Sequence, residues 1–323
     1  MMDRRRFLQG AALVAVPVPA VWAQSFPSKP MKIIVPFGAG GVADLTARAV
    51  AQKLSENLGQ PVLIDNRPSA GGIVAGELVA KAEPDGHTLL LMSNGTAVSA
   101  GLFKSLPFNP RTDFAPVSLL GLFDMAVVVP ENSPFKTLSE LISFGRANPG
   151  KLNIGTINIG STQHLAAELL RTQANWIAQV IPYNGTPAVI NALRGGQVDA
   201  AVEILGPMKP QINAKAVRLL GVMGESRPKD MSQIATVREL QGLSNFNVSS
   251  WNALAAPAKT PKAVVDRLSQ ELAKILVQPD MVQRLAGFNV QAKASTPAQL
   301  AQLLDSDIKR WSDVIVKAGI APQ

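Results

Sequence analysis

The sequence predicts an α/β protein built as two lobes, each a mainly parallel sheet flanked by helices. Short apolar, β-branched runs alternate with segments of helical period along most of the 323 residues, the pattern of a sheet covered on both faces. The alternation runs through one set of units, breaks at a proline-bearing stretch, and starts again. A late extended run, residues 247–256, then reads as a strand rejoining the first set. Two linked sets of this kind face each other across a cleft. We assign residues 24–124 and 247–323 to the first lobe and 125–246 to the second.

The first element is a strand at 32–35, ended by Pro36. The chain then loops through Gly38, Gly40 and Gly41 into a helix starting near Val42. Leu45, Ala49, Leu54 and Leu58 keep helical spacing, and Gly59 suits a C-terminal cap. A strand at 62–65, a turn at Ala70 to Gly72, a helix through Lys81, a turn at Pro84 to Gly86 and a strand at 88–92 follow. From Gly95 to Pro116 the pattern is irregular, before strands at 117–120 and 126–129. The second set comprises helix 138–147, strand 152–156, helix 161–173, strand 180–182, helix 186–194, and strands 198–204 and 217–223. Two amphipathic helices, 261–276 and 297–318, follow the returning strand.

A hydrophobic share of 47% with 17% charged residues describes an ordinary folded core. There is no cysteine, which removes disulfides, thiolate metal sites and cysteine nucleophiles. With only His87 and His164 as histidines, a catalytic metal has too few good ligands, and no cofactor of any kind is expected. The formal charge is +8, but Lys and Arg are scattered and no aromatic-interleaved stripe supports a nucleic-acid partner. At the N-terminus, Arg4, Arg5 and Arg6 precede a short apolar run broken by Pro17 and Pro19 and ending at Ala23. This is a secretory signal, residues 1–23, with paired arginines before Phe7 and Leu8 favouring the twin-arginine route over the general one. The expected product is exported, cleaved near Ala23, and has no later run long enough to span a bilayer.

Two loops are candidates for chemistry. Glycines 38, 40 and 41 leave main-chain N–H groups uncovered where a helix begins, and the orphan donors and the helix dipole both favour an anion there. The same stretch fits G-x-G-x-x-A, with Asp65 placed where a ribose-binding acid would sit, so an exported dinucleotide-dependent oxidoreductase is the rival reading. Pro36 and Phe37 weaken that reading by lengthening the turn, as does the loop of Asn66, Arg67 and Pro68 after Asp65. The second loop, residues 155–164, repeats the strand, glycine loop and helix start. Ser161 and Thr162 either cap that helix or also face a ligand. His164 has no carboxylate nearby in sequence to orient it as a general base, leaving it a cleft donor or a structural histidine. His87 is expected to be structural. Tyr183, Asn184, Gly185 and Thr186, at a strand-to-helix junction, either face a cleft or form a turn with a buried tyrosine; Glu203, near the C-terminal end of its strand, either reaches the cleft or is an ordinary edge acid. Arg67 is read either as an anion partner or as half of a surface ion pair.

Taken in order, these stretches resemble the Bug family, the periplasmic substrate-binding proteins of tripartite tricarboxylate transporters. The matching positions include Val35 to Asp44 with Ala47 and Arg48, Asn66 to Pro68 with Gly71 and Gly72, and Asp113 to Pro116. Gly160 to Ala166 with Glu168, Pro182 to Ala188, Gly196 to Asp199 and Leu254 to Pro257 continue the match across the mature chain. The resemblance implies a type II periplasmic-binding-protein fold that closes like a Venus flytrap on a small carboxylate. It is not an enzyme family, and its members hand ligand to membrane subunits of a transporter or to a sensor kinase's extracellular domain. A monomer is implied. It further implies a first jaw of Phe37, Ala39, Gly40, Gly41 and Asp44, and a second of Ser161, Thr162 and His164 with Tyr183, Asn184 and Gly185 beside it. Three departures stand out: Ala43 where many members have threonine, Glu203 where aspartate is common, and the stretch from Ser93 and Asn94 to Ala100. That stretch helps shape the pocket, so Ser93 and Asn94 join the candidate ligand residues.

Overall fold

The structure, a computed structural model, describes residues 26–228 and 230–323. The expected signal segment lies outside the described residues. The first lobe opens with β1 (Met31–Val35), α1 (Val42–Leu58), β2 (Val62–Asn66), α2 (Ile73–Ala80) and β3 (Thr88–Ser93). β1 lies between β2 and β3, parallel to both. Central β3 is buried on both faces from Leu89 to Ser93, whereas edge strand β2 leaves Leu63 about half exposed. An unbroken apolar run is what a doubly covered parallel strand requires.

The region from Gly95 to Pro116, expected to be irregular, contains α3 (Asn94–Leu102). Its glycines and β-branched residues are poor helix formers, and tertiary structure overrides them. Ser93 and Thr96 form a capping box, the Ser93 hydroxyl accepting from Gly95 N–H and Thr96 Oγ1 accepting from Ser93 N–H. A Cβ on Gly101 would stand 2.7 Å from Ser312 Oγ, so this glycine lets α3 lie directly on α10 (Pro297–Ala318).

The two strands expected at 117–120 and 126–129 are one strand, β4 (Phe114–Pro130). Its register shifts after Pro116, Leu119 and Val127, and such bulges bend a strand and increase its twist. β4 therefore serves both lobes. Its first half pairs antiparallel with β9 (Ser249–Pro257), which itself pairs with β3. Its second half pairs with β7 (Ala200–Ile204) and β8 (Val217–Val222). The second lobe adds α4 (Leu138–Ala147), β5 (Leu152–Ile157), α5 (Thr162–Gln173), β6 (Ala178–Tyr183) and α6 (Thr186–Arg194), with β5 parallel to β6 and β7. Along β4, Ala126 and Val128 join one apolar cluster while Val127 and Val129 join the other, the period-two alternation of a strand packed on both sides.

Three elements beyond the sequence expectation complete the chain. α7 (Leu205–Asn213) carries Pro207 and Pro210, and α9 (Pro279–Gly287) follows the expected helix α8 (Lys262–Ile275). The short β10 (Gln291–Ala292) pairs with β4. α10 buries Leu300, Leu304, Ile308, Trp311 and Ile315, each such side chain worth about 2 kcal/mol of apolar burial. No helix among the described residues is long and apolar enough to cross a membrane.

Candidate functional site

A cavity of about 500 Å³ lies between the lobes. Helix beginnings supply much of its wall: Gly41 to Ala43 of α1, Ser93, Gly95 and Thr96 at the start of α3, Ser161 to Gln163 of α5, and Thr186 of α6. Each helix N-terminus presents unpaired N–H groups and about half a positive elementary charge. Among the described residues, no Lys, Arg, His, Asp or Glu side chain lines the cavity. Phe103, Phe108, Phe123, Leu102 and Ile157 give it a large apolar share. The arrangement suits an anionic group held by amides and hydroxyls, with an apolar body beside it.

The first jaw is braced from behind. Asp44, 1% exposed, accepts from Gly40 N–H (2.9 Å), Arg48 Nε (2.9 Å) and Asn66 Nδ2 (2.9 Å). Asn66 Nδ2 also donates to the Phe37 carbonyl, and Arg48 donates to Asn66 Oδ1. Burial opposes ionisation of Asp44, yet the hydrogen bonds from Arg48, Gly40 and Asn66 hold its carboxyl below the usual range. The carboxylate is fully engaged in shaping the loop. Phe37 and Gly41 line the cavity, whereas Ala39, Gly40 and Asp44 do not. The Gly40 amide is bonded to the Asp44 carboxylate, so these two residues brace the loop from behind.

On the second jaw Ser161 is both cap and lining. Its hydroxyl accepts from His164 N–H (3.1 Å) and donates to the Ile157 carbonyl (2.9 Å). Thr162 also lines the cavity, its Oγ1 accepting from Asn94 Nδ2 across the cleft (3.1 Å). Asn94 in turn accepts from Trp311 Nε1 (2.7 Å), so it acts between the lobes and not on the cavity wall. His164 is buried and off the wall. Burial pushes its pKa down against the opposing effect of Glu168, and Nδ1 faces the Gly160 N–H at 3.5 Å. Gly160 has φ +78°, and a Cβ there would fall 2.1 Å from Leu102 Cδ2 of the opposite lobe. Only glycine allows the lobes to meet at that point.

Tyr183, Asn184 and Gly185 also lie off the cavity wall. The Tyr183 carbonyl accepts from Asn158 N–H (3.1 Å) and Gly185 N–H (3.0 Å), bracing the loop before Ser161. Glu203 is fully buried, its Oε2 accepting from Gln163 Nε2 (3.3 Å), Thr186 Oγ1 (3.1 Å) and Ile204 N–H (3.3 Å). Gln163 and Thr186 reach the wall, so Glu203 stands one residue behind it. Burial raises its pKa to about 7 in spite of those donors. Ser93 lines the cavity and caps α3.

Three positions named for other reasons have settled roles. Asp65 is paired with Arg67 (2.9 Å) outside the cavity wall, so it is not a free ribose-binding acid, and Arg67 is the surface partner. His87 is buried against Phe26 and beside Asp85, accepting from Ser28 N–H. Sequence reasoning missed the aromatic lining, Arg48 with Asn66 as braces, and Ser250 and Asn252 on β9. The signal for the last two is polar side chains at alternate positions of an otherwise apolar strand.

Comparison with known proteins bears on this geometry. The family model described as tripartite tricarboxylate transporter family receptor matches residues 46–320. A UPF0065 protein in the tcbD-tcbE intergenic region of Pseudomonas sp. (strain P51) is 38% identical, covering 98% of this chain and 95% of that relative. A protein of R. palustris solved with adipate is 30% identical with a TM-score of 0.81, covering 92% of this chain and 100% of that one. MatC from Rhodopseudomonas palustris with bound malate is 32% identical with a TM-score of 0.76, covering 90% and 100%. The chain belongs to the tripartite tricarboxylate transporter receptor family, solute-binding proteins with the two-lobed periplasmic-binding fold.

Proposed function

We propose that this protein is an exported solute-binding protein that captures a small carboxylate, whether a di- or tricarboxylate, an acidic amino acid or an aromatic acid, between its lobes. The observation that carries the reading is the convergence of the α1, α3 and α5 N-termini on one cavity without a basic side chain. Helix ends can neutralise a carboxylate there without a formal cation. Two structural relatives were solved with carboxylates, adipate and malate. The protein works in the periplasm as a cofactor-free monomer, after removal of residues 1–23. Residues 24–124 and 247–323 form one lobe and 125–246 the other. Phe37, Gly41, Ser93, Ser161 and Thr162 face the ligand, with the remaining candidates supporting them. Lobe closure requires that ligand favour the closed form, and the closed complex is presented to membrane subunits of a tripartite tricarboxylate-type transporter or to a sensor kinase's extracellular domain.

A thermal-shift screen of purified mature protein against mono-, di- and tricarboxylates tests this. A true ligand raises the melting temperature with the concentration dependence of mass action. Stabilisation by no carboxylate, or saturable binding of NAD(P) in its place, would overturn the reading.

A further inference from the structure

Asn252 is 1% exposed and lines the cavity, yet neither its Oδ1 nor its Nδ2 has a hydrogen-bond partner within the protein. A buried primary amide with both functions unpaired is costly, and this residue lines a space of ligand size, its amide atoms almost closed off as the lobes stand. Its place is set by the sheet. Asn252 pairs in register with Ser93 of β3 on one side and Gly121 of β4 on the other. β3 separates β9 from β1, so Asn252 lies two strand spacings, about 10 Å, from the strand that carries the first jaw. Ser250, two residues earlier on the same strand face, is the neighbouring hydroxyl. The apolar side chains of Leu102, Phe103, Phe108 and Phe123 line the same cavity.

We propose that Asn252 anchors the far end of the ligand, and that this end is an uncharged group offering both a donor and an acceptor. Resting on the carboxylate reading above, the ligand is then a monocarboxylate with an apolar body and a terminal hydroxyl or carboxamide. Asn252 presents one donor group and one acceptor, which a hydroxyl or amide satisfies together. A second carboxylate would satisfy the Nδ2 group and leave Oδ1 facing a negative charge. The ionisable residue on the adjoining strand is Asp124, itself an acid, paired in register with Ser249.

The test compares wild type with Asn252→Leu by calorimetric titration against four matched probes: omega-hydroxyhexanoate, adipate monoamide, hexanoate and adipate, with para-hydroxybenzoate and benzoate as an aromatic pair. In wild type the hydroxyl and amide probes bind about tenfold or more tighter than hexanoate or adipate, or para-hydroxybenzoate so exceeds benzoate. Asn252→Leu removes that preference while leaving hexanoate or benzoate binding within about threefold. The ligand-free melting temperature of the variant holds or rises, because an unpaired polar group is removed; a merely structural asparagine would lower it. Equal selectivity in both proteins, the result expected if water alone satisfies the amide, overturns the proposal, as does tightest binding of adipate in wild type. Binding by none of the carboxylates fails the broader reading instead.

Discussion

Glu203→Gln is the substitution whose effect follows most directly from the structure. The Glu203 carboxyl is wholly buried, with three donors on Oε2 and no partner on Oε1. Burial raises its pKa from 4.5 to about 7, outweighing Gln163, Thr186 and the Ile204 amide. A carboxyl whose folded pKa lies above its unfolded value takes up a proton on folding. Its stabilising effect is complete below about pH 4.5 and is lost as pH rises through about 7. At 1.36 kcal/mol per unit, the loss above that window is about 3 kcal/mol. Glutamine keeps an oxygen acceptor for Gln163 and Thr186 and cannot ionise. In urea unfolding across a pH series, the variant should match wild type near about pH 4.5 and exceed it by about 3 kcal/mol near about pH 8. A gap that does not change with pH would refute the reasoning, because it would mean that ionisation of Glu203 costs the fold nothing.

Three further perturbations probe the jaws. Gly160→Ala places a methyl 2.1 Å from Leu102 Cδ2 at φ +78°, so ligand affinity should fall about tenfold or more, and Leu102→Ala in the same chain should recover part of it; a full loss with no coupling in a double-mutant titration would deny the interlobe contact. Ser161→Ala with Thr162→Ala should cost about 1 kcal/mol of stability as a cap and weaken carboxylate binding at least about tenfold, with circular dichroism unchanged; undiminished affinity would count against the second jaw. Asp44→Ala strands the Gly40 amide, Asn66 and Arg48, so chemical unfolding should report a loss of about 1–3 kcal/mol. Asp44→Asn should recover some of that loss, and equal stability of all three proteins would remove Asp44 as the brace of the loop.

Much of the clamp was legible in the sequence because it is local. The loop of Gly38 to Gly41 and the loop before Ser161 each declare themselves by glycine followed by a helical period. What escaped depends on distant partners. α3 is written in Gly95, Gly101, Val98 and the hydroxyl residues Thr96 and Ser99, a composition of low helix propensity. Its stability comes from the Ser93 cap and from α10, more than two hundred residues away in sequence. β4 read as two strands because Gly121 interrupts it, whereas that glycine gives β10 room: a Cβ there would meet Gln291 O at 2.8 Å. α7 was hidden by Pro207 and Pro210. Asp44 and Glu203 read from the sequence as cleft residues, and only the fold shows which donors already surround them. Asn252 shows in the sequence only as a polar residue in an apolar run, and its meaning arises when β9 inserts between β3 and β4.

Among the described residues no basic side chain stands on the cavity wall, and this bears on how such a clamp would close. An Arg or Lys on one lobe would hold a carboxylate in the open form almost as well as in the closed one. Helix termini act only at short range, falling off within the first turn. Here they are divided between the lobes, α1 and α3 on one side and α5 and α6 on the other. Each lobe alone therefore offers an anion only part of its compensation, and the sum is available only when the lobes meet. A difference in affinity of that kind between open and closed states would drive closure. The contacts across the cleft reuse cavity-wall residues: Thr162 accepts from Asn94, and Leu102 seats on Gly160. Thr162 Oγ1 accepts from Asn94 and keeps its own proton to donate, so the contact across the cleft leaves this hydroxyl a free donor on the cavity wall.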